Sequence, residues 1–70
     1  NNETIVVFKL EYFNTSSAKQ ITKLLMTLQK LAINHKVVIN WYYRKDDTDI
    51  KNSGERYANL IKLDFNIMEY

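Results

Sequence analysis

Between Ser17 and Asn34 apolar side chains fall at three- and four-residue steps, at Ile21, Leu24, Leu25, Leu28, Leu31 and Ala32, and this helical stripe lies between two β-prone runs. Few folds accept that order. When both connections are short, the helix carries the chain back across the sheet, so the strands on either side run parallel, with a right-handed crossover. The first run, Ile5 to Phe13, alternates Thr4, Val6, Phe8, Leu10 and Tyr12 with Ile5, Val7, Lys9, Glu11 and Phe13, apolar on both faces at first and half polar later. The second, Val37 to Tyr43, sets Val37, Ile39, Trp41 and Tyr43 on one face and Val38, Asn40 and Tyr42 on the other, the pattern of a buried strand.

The rest of the chain repeats the unit. Asp46 to Asp49 supplies turn and N-cap chemistry for a second helix from Thr48 to Ile61, with Ile50, Tyr57, Leu60 and Ile61 inward and Gly54 weakening its middle. Leu63 to Tyr70 alternates again and predicts a last strand. The expectation is an α/β fold in βαβαβ order, an open, mainly parallel sheet of three strands with helices packed on it. With no proline, linker or repeat, residues 1–70 read as a single unit.

Composition limits what such a unit can do. Its 46% hydrophobic content supports folding, yet a 70-residue chain seldom buries enough to gain more than a few kcal/mol of net stability. The absence of cysteine removes disulfides, thiolate metal sites and thiol nucleophiles, and suits a reducing cytoplasm. The apolar run Ile5 to Phe8 is far shorter than the roughly 20 residues of a membrane span, and no basic segment precedes it, so no membrane partner is expected. The net charge of +2 is scattered rather than striped, which argues against nucleic acid as partner.

Most catalytic and ligand-binding signatures are missing. Gly54 is the sole glycine, which excludes Walker and dinucleotide loops. His35, the sole histidine, stands at a helix end where a cation is favourable. Asp46, Asp47 and Asp49 lack the glycine and distal glutamate of an EF-hand, and helix capping is the better reading of them, so neither metal nor cofactor is expected. Trp41 and Tyr43 read as core, whereas Tyr42, on the opposite face, is open to a partner. Without a paired acid and base, an enzyme is the weakest reading.

The junction Tyr12-Phe13-Asn14-Thr15-Ser16-Ser17-Ala18-Lys19 is different in kind. Ser17 and Gln20 have capping-box spacing, and at the far end Asn34-His35-Lys36 offers an asparagine for a left-handed cap. Capping alone explains the hydroxyls. A phosphate at Thr15, Ser16 or Ser17 would also meet free first-turn N–H groups and the positive helix end. Lys19 and Lys23 lie four apart with no acidic side chain from Ser17 to Asn34, a placement that costs about 0.3–1 kcal/mol near a helix N-terminus and that an anion would relieve. The plain alternative is a solvated lysine face. Because functional groups of parallel α/β sheets gather at the carboxyl ends of strands, Asn14-Thr15 and Tyr43-Arg44 are expected on one rim, with Tyr42 and Arg44 as a partner surface.

The ordered set YFNTSS (Tyr12 to Ser17) with Lys19, INWYY (Ile39 to Tyr43), and DDTDI with SGERYANLIKLDF (Asp46 to Phe65) resembles the SiaC family of bacterial regulatory phosphoproteins over nearly the whole chain. The resemblance implies a STAS-like fold, similar to anti-sigma-factor antagonists, and a threonine phosphoacceptor matched here by Thr15, with Asn14, Ser16 and Ser17 also matching. It implies a non-enzymatic cytoplasmic protein served by a cognate protein kinase and a PP2C-type phosphatase, which activates a diguanylate cyclase when unphosphorylated and so affects cyclic di-GMP and biofilm. An anti-sigma-antagonist-like regulator of transcription and a structural module without a phosphoswitch are the alternatives. The family carries further N-terminal sheet and helix, so the resemblance implies that this chain is the C-terminal part of the family domain, with an exposed edge inviting a homo-oligomer or domain swap.

Overall fold

The computed structural model describes residues 3–70, so the first two residues of the expected unit lie outside the description. Strand β1 (Glu3–Lys9), helix α1 (Thr15–Leu31), strand β2 (Lys36–Tyr43), helix α2 (Thr48–Leu60) and strand β3 (Asp64–Glu69) follow in the expected order. The sheet order is β1-β2-β3 with both pairings parallel. The register brings Phe8, Trp41 and Ile67 into one row across the sheet, all pointing to the helices.

The core occupies that face only. Phe8, Val37, Ile39 and Trp41 from the sheet meet Ile21, Leu25 and Leu28 of α1 and Ile50 and Tyr57 of α2. Trp41 is fully buried, and Phe8, Phe13, Tyr57 and Phe65 surround its ring with centroids 5.4 to 6.3 Å away. On the opposite face Ile5 and Val7 are exposed and Asn66 donates to Asn40 at 2.9 Å.

Several boundaries differ from the sequence expectation. Strand β1 ends at Lys9 rather than Phe13, because Phe13 must turn inward onto Trp41 and the chain leaves the sheet to reach the helical layer. Helix α1 begins at Thr15 and ends at Leu31. Its final carbonyls are taken by a tightened turn, with Ala32, Ile33 and Asn34 donating to Leu28, Lys30 and Leu31, so Asn34 has no need of a left-handed conformation and adopts none.

Leu24, Leu31 and Leu60, expected inward, are 44%, 39% and 69% exposed. Width explains the first two. Three strands spaced about 4.8 Å apart are narrower than two helices of about 10 Å diameter each, so α1 overhangs at Leu24 and Leu31, whereas Leu60 borders the open seam between the helices. Gly54, expected as a weak point, is buried: a Cβ there would overlap the Trp41 indole, 2.8 Å from its Cγ. The glycine lets the ring lie on the helix backbone, where Nε1 donates to the Ile50 carbonyl at 2.8 Å.

Candidate functional site

The carboxyl ends of all three parallel strands and the N-termini of both helices share one rim, as parallel connections require. The segment from Leu10 to Asn14 crosses it. Phe13 is held edge-on against Trp41, at 6.3 Å and 79°. Upstream of it, Glu11 accepts from the Arg44 guanidinium at 2.6 Å. Anchored at both points, the link delivers Asn14 to the start of α1.

Asn14 is the N-cap, and Ser17 is not. Its backbone is extended and its Oδ1 accepts from the Ser17 N–H at 2.9 Å, while its Nδ2 donates to the Tyr12 hydroxyl at 3.3 Å. The Ser17 and Gln20 capping box is therefore replaced by an asparagine cap three residues earlier, whose short amide reaches the N–H that Ser17 itself presents. Asp47 does the same for α2, accepting from Ile50 N–H at 3.1 Å. His35 follows the end of α1, and its Nδ1 is buried with no hydrogen-bond partner among the described residues.

Thr15 is the first residue of α1 and is exposed. The helix sends the neighbouring side chains to different sides. Ser16, Lys19, Gln20 and Lys23 line one hollow on the outer surface of α1. Thr15, with Phe13, Asn14 and Ala18, instead faces Asp49, Asn52, Ser53 and Arg56 of α2 across a cleft between the helices. Lys19 remains within one helical turn of Thr15, whereas Lys23 stands a further turn away. Sequence reading found the α1 half of this cleft and missed the α2 half.

That cleft continues along the seam between the helices, lined by Ala18, Thr22, Ser53, Arg56, Tyr57 and Leu60. Tyr57 spans the seam: its hydroxyl lies 3.0 Å from the Ala18 carbonyl and 3.1 Å from Thr22 Oγ1, which is itself 2.8 Å from the same carbonyl. The first turns of α1 are thus tied to α2 through one hydroxyl.

Tyr42 and Arg44 occupy the other side of the rim and meet through Tyr70, which sequence reading did not single out. Tyr42 is half-buried on the helix-free face with its ring edge-on to Tyr70 at 6.2 Å, and Lys9 lies 4.6 Å over the Tyr70 ring. Arg44 donates to the Tyr70 hydroxyl at 3.4 Å. The Tyr70 hydroxyl first, and the Glu11 carboxylate after it, raise the Arg44 pKa further, so this guanidinium is a permanent cation. Its present partners make it a fastener of the link before Thr15.

No helix among the described residues is long and apolar enough to cross a membrane. The sequence model of the family described as SiaC family regulatory phosphoprotein matches residues 1–70, the whole chain. Comparison with curated proteins and with solved structures returns no match.

Proposed function

The chain belongs to the SiaC family of regulatory phosphoproteins, and on that premise we propose that it is a non-enzymatic cytoplasmic signalling protein whose partner choice is set by phosphorylation of Thr15. The observation that carries this reading is the exposure of Thr15 at the first position of a capped helix, on a rim reached by a fastened link. A kinase can approach it without unfolding any core element. Thr15 Oγ1 attacks the γ-phosphorus of ATP; the new O–P bond forms as the bond to ADP breaks, and the hydroxyl proton passes to the kinase's base. A PP2C-type phosphatase reverses this: a water oxygen bonds to the phosphorus as the Thr15 Oγ1–P bond breaks, Oγ1 takes back a proton, and inorganic phosphate is released.

In the unmodified state the protein binds and activates a diguanylate cyclase, as the family resemblance implies, linking Thr15 to cyclic di-GMP and biofilm. Asn14, Ser16, Ser17 and Lys19 form the surroundings of the acceptor, with Lys23 one turn on and Tyr42 and Arg44 on the partner side of the rim. The first turn also suits the modification, since a phosphate of about −1.5 to −2 charges is favoured at a helix N-terminus and no acidic side chain occupies that turn.

The test is incubation with the cognate kinase and ATP followed by peptide mass spectrometry, together with cyclase binding by Thr15→Ala and Thr15→Glu variants. Phosphate at Thr15 is expected, with binding kept by Thr15→Ala and lost by Thr15→Glu. An unmodified Thr15, or equal binding by both variants, overturns the reading.

A further inference from the structure

Thr15 begins a stripe on α1 that continues through Ala18 and Thr22, at steps of three and four residues, and this stripe looks across at α2. The facing stripe of α2, Asp49, Asn52, Ser53 and Arg56, has the same spacing. Among the described residues the side chains of Asn52, Ser53 and Arg56 make no hydrogen bond and Arg56 makes no ion pair. A guanidinium with five free donors, an amide and a hydroxyl therefore border the cleft that Thr15 lines from the other side. The ordinary account of Arg56 is a solvated cation at an exposed helical position, before the last turn of α2. That account leaves unexplained why it shares its cleft with Thr15.

We propose that Arg56, assisted by Asn52 and Ser53, receives the phosphate carried by Thr15, so that modification draws the start of α1 onto α2 and closes the cleft between them. The inference rests on the reading of Thr15 as phosphoacceptor and adds what the phosphate does once present. Arginine suits this role better than Lys19, because its planar fork donates two parallel N–H bonds to phosphate oxygens whereas an ammonium acts as a point charge. Lys19 flanks the group from its own helix and lines a hollow with Ser16 and Lys23. Asp49 gives the contact direction. Its carboxylate lines the same cleft two helical turns before Arg56 and repels a phosphate toward the arginine. The seam has room for such a change, since among the described residues Tyr57 alone hydrogen-bonds from α2 to α1.

The experiment takes the full 70-residue chain, assembled by peptide synthesis with phosphothreonine at position 15, and follows its 31P resonance against pH. The charged groups facing the phosphate are Arg56 and Asp49 of α2 and Lys19 of α1; the link before the helix contributes none to the cleft. Guanidinium contact favours the dianion, so the second phosphate pKa is expected about half a unit or more below that of a phosphopeptide covering residues 12–20. Arg56→Gln should return most of that shift, Arg56→Lys should return part of it, and Asp49→Asn should deepen it. Arg56 is exposed, so its substitution leaves the fold intact, which Trp41 fluorescence checks. An unchanged titration in Arg56→Gln, or a shift abolished by Lys19→Gln instead, overturns the proposal. Because synthesis bypasses the kinase, failure of Thr15 to be phosphorylated enzymatically would overturn the functional reading alone, and the titration would still decide the role of Arg56.

Discussion

At the scale of single residues, Trp41 and Gly54 form one device. The indole lies against the α2 backbone and donates to the Ile50 carbonyl, and only a residue without a Cβ leaves space for it. Helix propensity and packing therefore pull Gly54→Ala in opposite directions. The alanine gains about 0.5–1 kcal/mol as a helix former, whereas pushing a fully buried indole from its site costs about 1–3 kcal/mol and strains its hydrogen bond. Packing should win, and Gly54→Ala should unfold at lower urea, followed by Trp41 fluorescence. A midpoint raised by the substitution would mean that the ring moves freely aside. Sequence alone marks Gly54 as a weak point because its reason lies on another strand; the same blindness hid Arg56, whose relation to Thr15 exists only once two helices share a sheet face.

Among elements, α1 matters most for the site, and the sequence marks its cap at Ser17, three residues after the Asn14 that caps it. Asn14, Thr15, Ser16 and Ser17 are all competent N-cap residues, and Ser17 followed by Gln20 even has the spacing of a capping box. Tertiary packing decides: Phe13 is held on the buried Trp41, which leaves Asn14 at the turn, and the exposed Glu11–Arg44 pair adds little. The apolar stripe of α1 was legible as a helix, yet which of its leucines are covered depends on the width of a three-stranded sheet, a property of no single segment. Asn14→Ala removes both the cap to Ser17 and the contact to Tyr12, and should lower the stability by about 1 kcal/mol, while Asn14→Asp keeps the acceptor and retains most of it. Urea titrations of the two variants measure this, and equal losses would show that Oδ1 is not what holds the helix start.

For the whole molecule, the decisive property is a parallel sheet covered on one face. Parallel sheets ordinarily bury both, and here both helices and the entire buried cluster lie on one side while Ile5 and Val7 stay exposed on the other. A chain of this size with such a core should have a folding free energy of no more than about 3–5 kcal/mol. Its distribution across the fold follows from the sheet order. Strand β2 is paired on both edges and carries Val37, Ile39 and Trp41, whereas β1 and β3 each have one unpaired edge within the sheet. Amide hydrogen exchange should therefore be slowest in β2, with Ile39 and Trp41 opening only as the whole chain unfolds, at a free energy equal to that from urea. Exchange should be faster in the link from Leu10 to Phe13 and in the first turn of α1, which are held by a cap, one aromatic contact and an exposed ion pair. Phosphate on Thr15, if drawn to Arg56, should slow exchange in that turn and at Asn52 to Arg56 while leaving Ile39 unchanged beyond the gain in global stability. Equal slowing throughout would instead mean that the first turn of α1 already unfolds only with the core, and that the rim has no local equilibrium for a phosphate to bias.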